Sequence, residues 1–206
     1  MTFPSFRLLR RPCAVATDVL GRNGKEIFRS PLPHCGRLAS LNAEFLPNAA
    51  IRAFEANDIR GLLDYAPESL ALPLNDALSL ADQKLRGLVE LPSLKYAIVV
   101  LTSVEPPDST IFAPHHRDLL WKAFGLPVFE QLRGWDSRVI ARECEVHDGL
   151  HFSATTLEGL SDGDALATMG ITASLHPEIV REHCECGIEA PRLRFLPEAR
   201  TRAAVA

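Results

Sequence analysis

The stretch Tyr96-Ala97-Ile98-Val99-Val100-Leu101 is an unbroken apolar run rich in β-branched residues. Strict alternation would mark a strand with one wet face. A continuous run of this length marks a strand covered on both faces. Such a strand belongs inside a parallel or mixed sheet with helices packed over it. Pro106 and Pro107 end the run. Pro114 then opens a helical stripe of Leu119, Leu120, Ala123 and Phe124, and Gly125 stands where a helix-ending glycine belongs. Pro127 to Leu132 resumes a strand pattern. Strand, helix and strand in this order predict a βαβ unit with parallel pairing and a right-handed crossover. The expected fold class is α/β.

The pattern elsewhere is weaker. Ala14 to Leu20 is apolar and partly β-branched, Arg22-Asn23-Gly24 signals a turn, and Glu26 to Phe28 reads as the returning strand. Asn48 to Tyr65 reads as one helix or two short ones, with Ile51, Phe54, Ile59, Leu62 and Leu63 as its apolar positions. Pro67 and Pro73 bracket a connector. Ser79 with Asp82 resembles a capping box opening a helix through Val89, with a core face of Ala81, Leu85, Leu88 and Val89. Arg138 to Val146 predicts a strand that turns at Asp148-Gly149 into Leu150 to Ala154. Ile171 to Leu175 and Pro191 to Leu196 are two further expected strands. The expected organisation is an irregular β-rich segment over 1–45, an α/β body over 46–197 and a flexible tail over 198–206.

The formal net charge of −4 offers phosphate backbones no basic field, so nucleic acid is not an expected partner. No apolar run approaches the roughly 20 residues that a bilayer crossing needs. Arg7, Arg10 and Arg11 precede no apolar segment of the kind a secretory signal carries. These features lead us to expect a soluble, cytoplasmic protein with no membrane partner. Five cysteines, an odd number at uneven spacing, then point to reduced thiols or metal ligands rather than a disulfide framework.

The cysteines and histidines make one notable constellation: Cys144, His151 seven residues on, then Cys184 and Cys186 followed by Gly187. Zinc takes four ligands in a tetrahedron and prefers thiolate and imidazole. A hairpin at Asp148-Gly149 can bring Cys144 opposite His151, and a turn at Gly187 can aim both thiols of Cys-x-Cys at one ion. Three thiolates and one imidazole close the coordination sphere, which makes such a site structural rather than catalytic. On spacing alone, ordinary buried thiols with solvated histidines remain the alternative. His147 and His183 are rival ligands to His151. His115 and His116 read as exposed first-turn residues. Cys13, His34 and Cys35 could form a second set but lack a fourth ligand. Glu143 and Glu145 flank Cys144 and read as a solvated strand face.

The segment from Asp118 reads DLLWKAFGLPVFEQLRGWDSRVIARECEVHDGLHF. A buried strand, a helix ending in Phe124-Gly125, a short strand, then Glu143-Cys144, Gly149-Leu150-His151 and Cys184-Glu185-Cys186-Gly187 together resemble the phenylacetate–CoA ligase-like branch of the adenylate-forming enzymes. The resemblance spans about residues 85 to 195. It implies a βαβ-containing fragment of such an enzyme's N-terminal domain with a small zinc-bound β subregion. It also implies zinc ligation by Cys144, His151, Cys184 and Cys186, and so favours the metal reading.

Departures from the branch bear on activity. Glu130-Gln131-Leu132-Arg133-Gly134-Trp135 stands where a Tyr-Gly-x-Thr-Glu motif is expected. No Ser/Thr/Gly-rich phosphate loop precedes it, no Arg-Tyr-x-Thr-Gly-Asp follows, and the lysine of a mobile C-terminal domain is missing. Two functions follow as expectations. The first is a zinc-binding, non-catalytic relative without catalytic residues, acting as an accessory protein through a partner chain or a homo-oligomer. The alternative is an ATP-dependent carboxylate–CoA ligase, completed by another chain.

Overall fold

The computed structural model describes residues 19–20, 26–32, 36–41, 51–55, 57–104, 112–134, 136–153, 161–171 and 176–196. Along the chain these form β1 (Val19–Leu20), β2 (Glu26–Phe28), β3 (Leu38–Leu41), β4 (Ile51–Phe54), α1 (Ile59–Tyr65), β5 (Ser69–Pro73) and α2 (Leu74–Leu85). Then come β6 (Ile98–Ser103), α3 (Pro114–Phe124), β7 (Val128–Arg133), β8 (Val139–Glu143), β9 (Leu150–Phe152), α4 (Asp162–Thr168), β10 (Pro177–Val180) and β11 (Arg192–Phe195). Strands β1 and β2 pair antiparallel by themselves. The other nine make one sheet in the order β10-β11-β9-β8-β7-β6-β5-β3-β4.

The apolar run behaves as its sequence demands. β6 lies inside the sheet, parallel to β5 on one side and to β7 on the other. Its odd and even residues feed two separate cores. Ile98 and Val100 pack with Leu74, Ala77 and Leu80 of α2 and Leu120 of α3. Val99 and Leu101 pack on the other face with Phe28, Leu38, Ile51 and Ala71. The α3 boundaries are those that Pro114 and Gly125 predict. The strand expected at 26–28 has those bounds, and those expected at 138–146, 150–154 and 191–196 are present in shorter form.

β7 is where the sheet changes character. From β4 to β7 the pairing is parallel, and from β7 through β8, β9 and β11 to β10 it is antiparallel. The antiparallel half has its own core of Leu132, Ile140, Leu150, Phe152 and Leu193, closed by Ala165 and Met169 at α4.

Three expectations fail. Residues 51–54 form a strand parallel to β3, and helix is confined to 59–65. The i, i+3 spacing of Ile51 and Phe54 also fits a four-residue strand with buried ends and an outward Arg52-Ala53. The connector between Pro67 and Pro73 is the fully paired β5, whose residues 69–72 are buried. The helix expected from Ser79 starts at Leu74 and ends at Leu85. Its core face is Leu74, Ala77, Leu80 and Ala81, and Leu85 and Leu88 are 43% and 64% exposed. The strand expected at 171–175 falls largely on residues outside those described. Among the described residues no helix is long and apolar enough to cross a membrane.

Candidate metal centre

The antiparallel half gathers the cysteines. Cys144 leaves the end of β8, and the chain doubles back into β9 so that Glu143 pairs with Leu150 and Arg142 with His151. The turn is tight: the N–H of His147 donates to the Cys144 carbonyl at 3.1 Å. It closes through Gly149 at φ +89°, where a Cβ would lie 2.8 Å from the Leu193 carbonyl oxygen. Only glycine meets both demands. The second ligand segment joins β10 to β11. There the Gly187 N–H donates to the Cys184 carbonyl at 3.0 Å, and Gly187 takes φ +81°.

The two turns face each other. One ligand atom from each of Cys144, His151, Cys184 and Cys186 lies within 4.8 Å of all the others, so the group could hold a metal ion. Cys144 Sγ is 3.8 Å from Cys184 Sγ, and Cys186 Sγ is 3.3 Å from His151 Nε2. Tetrahedral zinc with ordinary bond lengths sets sulfurs about 3.8 Å apart and sulfur about 3.6 Å from nitrogen. The two sulfurs have that spacing, and the sulfur–nitrogen pair is somewhat closer. Cys144, Cys184 and His151 are buried and Cys186 is half-buried.

The surroundings prepare each donor. His151 Nδ1–H donates to the Ala190 carbonyl at 3.0 Å, which leaves the Nε2 lone pair toward the thiols. Burial holds the imidazole below its usual pKa, in the neutral form a metal requires. Burial pushes the Cys144 thiol up to about 12 and raises Cys186 as well. Burial works in the same sense on Cys184, but the Cys186 N–H and the neighbouring thiols outweigh it, and Cys184 falls. Each sulfur has a backbone N–H beside it, from Val146, Cys186 and Ile188 respectively, the last at 3.4 Å. A cluster of this kind keeps most of its protons until a cation displaces them.

The rival histidines lie elsewhere. His147 sits 3.0 Å from Glu143 Oε1 with its ring tilted against Phe129, and His183 is exposed. His115 is exposed as expected. His116 instead turns back to accept the Ala113 N–H at 3.2 Å, which closes the start of α3. Cys13, His34 and Cys35 are outside the described residues. Glu143 corrects the expectation of a solvated face: it is buried, takes both Arg117 contacts at 2.7 and 2.9 Å, and accepts the Glu130 N–H at 2.9 Å. The helix α3 above β7 makes this possible by supplying the guanidinium. Glu145 lies past the end of β8 and is exposed.

Sequence reasoning missed the basic layer beneath the cluster. Arg192 is buried opposite His151 in the β9–β11 ladder, and Arg192 and Arg194 both grip Asp148. The signal was available, because Arg-Leu-Arg in a strand puts two guanidiniums on one face.

No protein-family model matches this chain, and no curated protein does. A solved structure of 2-hydroxyisobutyryl-CoA ligase, in an open conformation with 2-HIB-AMP and CoA, is similar to it at 16% identity and a TM-score of 0.50. The match covers 77% of this chain and 44% of the ligase, so the chain spans less than half of that protein. The likeness is one of fold: the nine-stranded α/β architecture corresponds to part of an acyl-CoA ligase.

Proposed function

We propose that this chain is a zinc-stabilised protein on part of the adenylate-forming-ligase fold, acting as an accessory or interaction protein. The observation that carries the zinc reading is the convergence of three cysteine sulfurs and one imidazole nitrogen within 4.8 Å. Thiolate-rich tetrahedral sets suit zinc, and a set with no open position has a structural role. Purified, unchelated protein then carries about one zinc per chain. Native protein free of zinc by metal analysis overturns the reading.

The non-catalytic part rests on how the residues of β7 are used. Where the ligase resemblance expects its adenylate motif, Glu130 accepts from Thr102 Oγ1 at 2.7 Å. Gln131 bonds the backbone of Arg29, and Arg133 Nε donates to the Ser137 carbonyl at 2.9 Å. Their engagement within the fold supports the non-catalytic reading. Leu63, Leu85, Leu88, Trp121 and Leu196 are exposed, and in this reading another chain or a second copy docks on side chains of this kind. A monomeric sedimentation profile at all concentrations, with no partner recovered, counts against docking.

The second reading is an ATP-dependent carboxylate-activating ligase completed by another chain, and the fold likeness to an acyl-CoA ligase favours it. Pyrophosphate release from ATP, magnesium and a panel of acyl and aryl acids decides between the two. We expect none above background, and acid-dependent release would establish the ligase.

A further inference from the structure

Arg192 is only 3% exposed, and its counter-charge is shared. Asp148 accepts from Arg192 Nη1, and both its oxygens lie 2.5 Å from Arg194 Nη2. Two guanidiniums thus face one carboxylate, a local excess of one positive charge. A buried cation is costly to desolvate, and Arg192 shares its one carboxylate with a second, partly exposed guanidinium. The Nε–H of Arg192 is also buried without a hydrogen-bond partner.

The metal centre supplies the missing charge. A divalent ion with three thiolates and a neutral imidazole carries a net charge of minus one. Arg192 lies within electrostatic reach of Cys144 and Cys184 and pairs with His151 across the ladder. Its guanidinium also holds both ligand segments. Nη1 donates at 3.0 Å to the carbonyl of Asp148, in the turn between Cys144 and His151. Nη2 donates at 3.2 Å to the carbonyl of Glu182, two residues before Cys184.

We propose that Arg192, assisted by Arg194, is the positioning and charge-balancing residue of this centre. It holds the two ligand turns at binding distance and neutralises the anionic thiolate complex. A fixed cation also biases the site toward three-thiolate complexes, because a set with fewer thiolates leaves the positive excess uncompensated. The inference rests on the zinc reading above.

The test measures zinc affinity of the full chain by competition with a chromophoric chelator, with cobalt(II) substitution to report ligand geometry. Arg192→Met is expected to weaken zinc binding ten- to a hundred-fold, the usual cost of losing support behind a ligand. Its cobalt spectrum should stay tetrahedral, since all four ligands remain. Arg192→Lys keeps the charge without the fork and should fall between Arg192→Met and the wild type. Arg181→Met removes an exposed arginine paired with Asp162 and should change nothing. Should Arg192→Met fail to fold, Arg194→Met carries the test with an expected several-fold loss. Affinity within two-fold of the wild type overturns the inference, and Arg192→Lys no tighter than Arg192→Met overturns its charge component. A wild type that binds neither zinc nor cobalt overturns the zinc reading instead, and this inference with it.

Discussion

Replacing Glu130 with glutamine should stabilise the protein at alkaline pH and leave it unchanged in acid. Glu130 is buried within β7, and its partner is the Thr102 hydroxyl, which donates at 2.7 Å. Burial raises the carboxyl from 4.5 to about 8. The Thr102 bond opposes this, and the charge of Glu143 adds to it. A raised carboxyl pKa means that the native state holds its proton where the unfolded chain has lost it. Between pH 4.5 and 8 the native state therefore binds more protons, and stability falls as pH rises. The slope is about 1.4 kcal/mol per pH unit, at most about 5 kcal/mol across the window. Glutamine keeps the oxygen that accepts from Thr102 but cannot ionise. Its advantage over the wild type should be near zero at about pH 4.5, grow through the window and level off above about pH 8. Urea unfolding of both proteins at several pH values, zinc held in excess, reads the difference directly. A difference independent of pH would refute the reasoning, because only an ionising carboxyl at this position produces the slope.

Further consequences follow from the geometry of the centre and its neighbours. Cys186→Ser removes one of four ligands. Zinc content should drop well below one per chain and the melting temperature by roughly 5–10 °C, read by metal analysis and thermal scan. Arg117→Met leaves the buried Glu143 carboxylate without its guanidinium. It should cost about 3 kcal/mol in denaturant unfolding, at the low end for a broken buried pair because Arg117 is partly exposed. Gly149→Ala places a Cβ 2.8 Å from the Leu193 carbonyl oxygen at φ +89°. It should cost about 2 kcal/mol and weaken zinc binding by shifting Cys144 against His151.

How much could be read in advance depended on whether an element declared itself locally. β6 did, because six apolar residues in a row have few uses other than a strand buried on both faces. α3 did, because Pro114 and Gly125 fix its two ends by backbone conformation alone. β5 did not: Ser-Leu-Ala-Leu-Pro contains no β-branched residue, ends in Pro73 and follows closely on Pro67. It becomes a strand because β3 and β6 pair with both its edges, a tertiary effect that overrides weak propensity. α2 was misphased for a related reason. The Ser79–Asp82 spacing imitates a cap, but the stripe that meets the sheet begins five residues earlier at Leu74. In the metal centre the four donors were legible as a spacing. The ligase resemblance also pointed to His151 ahead of His147 and His183, but the reason lies in the pairing: the β8–β9 register sets His151 opposite Arg142 and brings it to the thiols.

The same topology determines what metal removal should do. The four donors come from two hairpins in the antiparallel half of the sheet, Cys144 and His151 from β8–β9 and Cys184 and Cys186 from the connection between β10 and β11. Strands β9 and β11 share a short ladder, with Arg192 opposite His151 and Leu193 opposite Leu150. A metal bridging the turns would clamp this ladder at its end. The parallel half has the larger core, under α2 and α3, with a smaller one on its opposite face, and it supplies no ligand to the cluster. Metal release should therefore raise amide exchange in residues 139–152 and 177–195, while 98–103 keeps near-native protection, since such local openings follow local packing. Exchange mass spectrometry of zinc-loaded and chelated protein would separate the cases. A uniform rise across the sheet would mean that the ion supports the whole fold. No rise anywhere would mean that hydrogen bonds and apolar contacts suffice to hold the turns, and that the cluster is not a structural staple.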